Sequence, residues 1–308
     1  MSKNQRILTV ISEMRKRAKR YAEQGLRIVS ANSFPTAAGL ASSAAGYAAL
    51  TVALADVFQV PMSSDLTRVA RMGSGSACRS LYEGLVAWES GTQADGCDSI
   101  AVAMAPKTSW LDISILVLNA AKKNTSSTEG MVRSVQTSEL LRYRAKHIVP
   151  ARVRSMVAAY RDKDFETFGR IMMQDSNQFH ATCLDTYPPV FYLTDDSRKV
   201  INFVHGLNRR AGKIVAAYTF DAGPNAVIFT QHKDTAAVLS AIEAKFPIVN
   251  SNADGATDDA ISTKDGSAIG VVKNIYRTRV GDGPRKLPRI FLADCKSGLP
   301  LPKYTELI

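Results

Sequence analysis

The sequence predicts an α+β fold in two domains, and three observations carry that prediction. Strand-like and helix-like segments alternate without the even βαβ spacing of a doubly wound sheet. At 308 residues the chain is near the length at which one core splits into two. A loop holding Gly91, Gly96 and Pro106 marks a boundary near Pro106, so residues 1–108 are assigned to the first domain and 109–308 to the second.

In chain order, Ile7, Val10, Ile11 and Met14 recur every three or four positions among Lys3, Arg6, Arg15, Lys16, Arg17, Lys19 and Arg20, which predicts an amphipathic basic helix. "GLRIVSANSF" reads as a short strand. "FPTAAGLASSAAGYAAL", residues 34–50, opens an Ala-rich helix that runs to Phe58 and is stopped by Pro61. "SSDLTRVARM" is a second helix, N-capped by Ser64 and ended at Gly73. "GLVAWESG" and "LDISILVLNA" are strands by their β-branched content. Helical patterns cover 133–160 and 165–183, with a Tyr-Pro-Pro break at 187–189, and a further helix covers 196–210. "KIVAAYTF" and "DAGPNAVIFT" are successive strands, "DTAAVLSAIEAKF" is a helix, and the polar stretch 250–268 is expected to be a mobile loop.

Lys and Arg number 39 against 28 Asp and Glu, a net charge of +11 that favours anionic partners. Nucleic acid is disfavoured, because the basic residues are not interleaved with stacking aromatics and no nucleic-acid motif occurs. A membrane span is disfavoured too: the longest small-apolar run, 37–58, is mostly Ala and contains Ser42, Ser43, Thr51 and Asp56. Cys78, Cys97, Cys183 and Cys295 are scattered without the spacing of a zinc site or a disulfide framework, which places the chain in a reducing compartment. A cytoplasmic location is expected, with the peroxisome as the alternative the sequence leaves open. No metal ligands are assigned.

Three glycine- and serine-rich segments remain. In the first, Gly39 lies just before a helix whose opening carries Ala41, Ser42 and Ser43. Free N–H groups at such a start bind phosphate; the competing reading is a packed helix start capped by Ser42. In the second, "GSGSACRS", Gly and Ser leave donors exposed, and Arg79 offers a planar fork for carboxylate or phosphate or else is a plain surface residue. In the third, Asp221 ends an apolar strand and is followed by Ala222, Gly223 and Pro224; it is either a reactive acid or the cap of its own turn. Ser176, Asn177 and His180 share a helix face, with His180 either structural or site-lining.

The P-x-x-x-G-L-x-S-S-A pattern of Pro35, Gly39, Leu40, Ser42, Ser43 and Ala44 resembles the loop of the GHMP kinase superfamily. With Ala41 in place of glycine, and with "GSGSACRSLYEG", "QADGCDSIA", "DSNQFHATCLDT" and "YTFDAGPNAVIFT" in order, the chain resembles the mevalonate diphosphate decarboxylase family from Ser30 to about Thr230. The resemblance implies a first domain of the ribosomal protein S5 domain 2-like type and a ferredoxin-like second domain. It implies ATP and Mg²⁺ as cofactors, mevalonate 5-diphosphate as substrate, and a homodimer. By the same resemblance Asp221 and Arg79 are catalytic; Ser74, Gly75, Ser76, Ala77, Cys78 and Thr128 bind substrate; Gly39, Ala41, Ser42 and Ser43 bind ATP. Lys122 and Lys123 are read as a solvated strand end. The family's Tyr-Trp-Gly-Lys run is absent, so the first domain is expected to be incomplete at its start, with reduced stability or activity. A mevalonate-type kinase and a non-catalytic phosphate-binding protein are the competing readings.

Overall fold

A computed structural model describes residues 4–32, 41–118, 124–246 and 272–286. They form two compact units: one holds the residues up to Lys107 together with those from Gly281 onward, the other Thr108–Val280.

The first unit is built on three helices. α1 (Gln5–Arg17) begins at Asn4, whose side chain accepts the N–H groups of Arg6 and Ile7, and ends on Arg15, Lys16 and Arg17, the charge that suits a helix C-terminus. The basic face is partly structural: Arg17 pairs with Asp65, and Arg15 donates to the carbonyls of Ala22 and Gln24. α2 (Ser42–Phe58) and α3 (Ser64–Gly73) follow, the latter entered through Ser63 rather than Ser64. Val10, Met14, Ala48, Leu54, Phe58, Leu66 and Val69 from the three helices make one buried core.

Residues 25–32, expected as a strand, join neither described sheet. A strand exists only through pairing, and here the segment instead lines an apolar cavity of about 600 Å³ with one face of α2. The first unit's sheet is the antiparallel pair β1 (Leu85–Trp88) and β2 (Ala101–Ala105). β2, "AVAMA", lies inside the stretch read as a loop; its alanines carry little strand propensity, and the ladder with β1 overrides it.

The second unit holds a four-stranded antiparallel sheet, order β4-β5-β3-β6, from β3 (Leu111–Val117), β4 (Ala216–Phe220), β5 (Ala226–Gln231) and β6 (Asn274–Arg279). β6 was not anticipated; it is an edge strand whose exposed Arg277 and Arg279 give it a polar, strand-poor look. The helical span expected from 133 to 160 is divided. α4 (Ser127–Thr137) stops at the buried Ser138, which caps α5 (Glu139–Tyr143) and donates to Asp185; one π-helical turn then leads into α6 (Val149–Arg161). α7 (Phe165–Asp185), α8 (Asp195–Ala211) and α9 (Thr235–Lys245) match their predicted spans within two residues at most ends. α7 lies close against β4, with Gly169 facing Ile214 and Ala217 where a Cβ would stand 3.0 and 3.1 Å from them.

Residues 109–308 were expected to fold together, but the chain from Gly281 returns to the first unit. Gly84 N–H donates to Gly281 O at 3.1 Å, Asp282 pairs with Lys107, and Lys286 pairs with Asp56 at 2.7 Å. The polar stretch 250–268 lies outside the described residues.

Candidate active site

The site residues expected from sequence fall into two clusters, one in each unit. In the first unit, α2 starts at Ala41, which holds a left-handed conformation (φ 54°, ψ 33°) that L-residues avoid. No side chain caps this helix and no acid occupies its first turn, so Ser42 is not the cap that the structural reading required. The result is a helix start that carries the positive end of the dipole and, among the described residues, has no side chain bonded to its N–H groups. That suits a phosphate chain. Gly39 lies outside the described residues.

Ser43 Oγ stands 3.1 Å from Ser74 Oγ, which ties this helix start to the second expected segment. Residues 75–81 form a 3₁₀ turn directly after Ser74. Gly75 is required there, since a Cβ would stand 2.9 Å from Trp88 Cη2. Ser76 is half-buried, whereas Ala77 and Cys78 are fully buried and the Ala77 N–H already donates to Ser74 O at 2.9 Å, so these two expected substrate contacts are not open to a ligand here. Burial pushes the Cys78 thiol up, against the pull of Arg79.

Arg79 is exposed and lies over Trp88, 5.8 Å from the ring centroid. Trp88 was missed in the sequence; an aromatic at a strand end is ordinary, and only the fold shows what rests on it. It is itself fixed, because its Nε1 donates to Ser99 Oγ at 2.9 Å and Ser99 Oγ donates to Glu89 O at 3.0 Å. The "QADGCDS" loop supports Ser99: Asp98 accepts from Thr92 and Gln93, and Arg71 donates to Gly96 O at 2.7 Å.

The second cluster surrounds Asp221, exposed at the end of β4. Its turn is fixed from several sides. Phe220 N–H donates to Ser176 Oγ at 3.0 Å, Gly223 N–H to Asp221 O at 2.7 Å, Ser197 Oγ to Pro224 O at 2.8 Å, and Leu118 N–H to Asn225 Oδ1 at 2.8 Å. Among the described residues, the Asp221 carboxylate itself makes no hydrogen bond or ion pair with a side chain or a cap. The turn is closed by the Asp221 carbonyl, which removes the reading of this side chain as a structural cap.

Ala222 packs with Cys183, Val190 and Tyr192. Tyr192 links this turn to the start of α4, where its hydroxyl donates to Ser126 O at 3.2 Å and occupies the space left open by Gly130. Burial, with Cys183 and Asp221 nearby, pushes its phenol up to about 12. Thr128 is exposed on that first turn of α4. Lys122 and Lys123 lie outside the described residues. Ser176 and His180 face the Asp221 turn, while Asn177 accepts instead from the buried Tyr218 hydroxyl at 2.9 Å.

No group of three His, Cys, Asp or Glu able to cage a metal exists among the described residues. A Mg²⁺ brought with polyphosphate needs few protein ligands, and the Ser42 and Ser43 hydroxyls are the donors at hand.

Comparison with known proteins gives the class first. A solved mevalonate 5-diphosphate decarboxylase superposes with a TM-score of 0.86 at 40% identity, covering 96% of this chain and 82% of that one. The fold is that of the GHMP kinases. Two family descriptions match: the diphosphomevalonate decarboxylase-like N-terminal domain over residues 1–101, and the mevalonate 5-diphosphate decarboxylase C-terminal domain over 113–287. Diphosphomevalonate decarboxylase of Ganoderma lucidum is 48% identical over 92% of this chain and 78% of its own length; that of Homo sapiens is 50% identical over 85% and 68%. A further solved relative, 30% identical with a TM-score of 0.65 over 81% of this chain and 68% of its own, is in complex with MVAPP, AMPPCP and magnesium. The chain belongs to the diphosphomevalonate decarboxylase family.

Proposed function

We propose that this chain converts mevalonate 5-diphosphate and ATP to isopentenyl diphosphate, ADP, phosphate and carbon dioxide, with Asp221 and Arg79 as its acting side chains. A tertiary hydroxyl is a poor leaving group, so the reaction first transfers the ATP γ-phosphoryl group to it. When that phosphate departs, positive character grows on the tertiary carbon, and the electrons of the bond to the carboxylate form the alkene as carbon dioxide leaves.

Each cluster supplies part of what this requires. The uncapped start of α2, with Ser42 and Ser43, holds the ATP phosphates, where positioning is the main contribution to phosphoryl transfer. Mg²⁺, when bound, offsets the charge of those phosphates. Ser74, Ser76 and the backbone of Gly75 offer donors to the substrate, and Thr128 does so at its diphosphate. Arg79, steadied on Trp88, orients the carboxylate that is lost. Asp221 takes or orients the proton of the tertiary hydroxyl and then favours the developing cation.

One observation carries the reading: Asp221 is an exposed acid with no structural partner among the described residues, on a turn anchored by Ser176, Ser197 and Asn225. Rigid support around an unengaged carboxylate is what a reactive group needs. A homodimer is part of the proposal, supported by Met131, Val132, Val135, Leu140 and Tyr143, which stand exposed on α4 and α5. So is a cytoplasmic location, supported by the free thiols of Cys78, Cys97 and Cys183. Among the described residues no helix is long and apolar enough to cross a membrane.

The test is ATP-dependent release of carbon dioxide from mevalonate 5-diphosphate by the purified chain. Asp221→Ala and Arg79→Gln are expected to lose turnover while melting as the unaltered protein does. ADP formation without carbon dioxide would replace the assignment with a kinase, and near-normal rates in either variant would remove that residue from its role.

A further inference from the structure

Asp221 can be no better placed than Phe220, the residue before it, and α7 grips Phe220 at two points. The Phe220 N–H donates to Ser176 Oγ at 3.0 Å. One helical turn on, the His180 ring makes a hydrogen bond to the Phe220 backbone. Ser176 and His180 are both buried, at 4% and 7% exposure.

His180 is a costly residue for packing alone. Its Nε2 is buried without a hydrogen-bond partner among the described residues, beside the Phe179 and Phe220 rings at 4.8 and 6.3 Å. Burial holds the ring neutral, with its pKa lowered to about 4 even though the Phe220 backbone and the charge of Asp221 pull it the other way. A leucine would fill similar space and leave no orphaned nitrogen. The ring therefore needs a purpose that a hydrocarbon cannot serve.

We infer that His180 is a positioning residue for Asp221, holding Phe220 from α7 together with Ser176 so that the carboxylate is presented at a fixed place on the turn. Its neutrality matters. An imidazolium at this site would put a cation beside Asp221 and draw the carboxylate toward the core; a neutral ring fixes the backbone and leaves the carboxylate to the substrate. The inference rests on the role of Asp221 proposed above.

The experiment compares the unaltered chain with His180→Leu and His180→Asn. Leucine removes both ring nitrogens; asparagine keeps a donor near the position of Nδ1. Turnover of the unaltered chain comes first, and its absence would refute the functional reading rather than this one. The role of His180 is then read from the backbone amide shifts of Ala222, Gly223 and Asn225, which His180→Leu should move and His180→Asn should largely preserve.

With turnover present, His180→Leu should lower kcat by roughly 100-fold, the effect of a misplacement near 1 Å. The KM for each substrate should stay within about threefold, since uniform binding is untouched. Its melting temperature at neutral pH should equal or exceed that of the unaltered chain, because the orphaned nitrogen is gone. His180→Asn should recover most of kcat. Unchanged kcat in His180→Leu would overturn the inference. So would a fall in melting temperature matched by equal losses in both variants, which would make His180 an ordinary core residue.

Discussion

Gly73 closes α3 immediately before Ser74, and its α-carbon faces the Tyr47 ring on α2. A methyl group there would stand 2.5 Å from Tyr47 Cγ and 2.7 Å from Cε1, and nearer still to Cδ1. Ordinary contact begins beyond 3 Å, so in Gly73→Ala the ring or its helix must retreat by about 1 Å. Two effects oppose each other. Alanine is the better helix former by at most about 1 kcal/mol, and by less at a final helical position. Overpacking a tight contact costs about 1–3 kcal/mol, and Tyr47 has little slack, being packed against the first unit's core with its hydroxyl near Asn4.

The clash should win, leaving the variant about 1–2 kcal/mol less stable. For a chain of 308 residues, that is a fall in melting temperature of roughly 1.5–3 °C. The same displacement separates Ser43 from Ser74, now 3.1 Å apart, so the KM for ATP should rise as well. Differential scanning calorimetry and steady-state kinetics read both effects. A Gly73→Ala protein as stable as the original, with unchanged KM for ATP, would show that α2 and α3 do not meet in this way.

Two further outcomes are expected. His180 titrates at about 4 when folded against 6.5 when exposed, so between those values the unfolded chain holds a proton that the folded one lacks. Its contribution is fully present above pH 6.5 and falls by about 3 kcal/mol on acidification to pH 4; urea titrations across that range should show the decline and His180→Leu should flatten it, whereas an equal slope in that variant would show that other groups produce it. Trp88→Leu removes the platform under Arg79 and should raise the KM for mevalonate 5-diphosphate by roughly tenfold with less change in kcat; an unaltered KM would show that Arg79 needs no such support.

Local patterns that are strong by themselves were legible in the sequence. α7, α8 and α9 follow from periodicity, and β3 and β4 from β-branched runs. What escaped depends on distant partners. The alanines of β2 become a strand because β1 lies beside them, and residues 25–32 do not become one because neither described sheet includes them. Asp221 could be named, but not the loss of its alternative role, since the closing hydrogen bond of its turn goes to a carbonyl rather than a side chain. Ser42 looked like a helix cap because serine usually is one; the left-handed Ala41 stands where the cap belongs. Trp88 gave no local signal at all, and His180 showed in the sequence only as a residue of either structural or site-lining kind, because the significance of both lies in what they touch.

The chain's return to the first unit at Gly281 bears on how the protein is made. Gly84 and Asp56 meet Gly281 and Lys286 across most of the polypeptide, so the early half leaves the ribosome with those contacts still unmet. At ordinary rates of synthesis, roughly 10–40 s separate residue 84 from residue 286, an interval in which the nascent first unit must wait, unfinished, for its closing piece. A gene fragment ending before Gly281 would deprive the first half of the molecule, not the second, of its final brace.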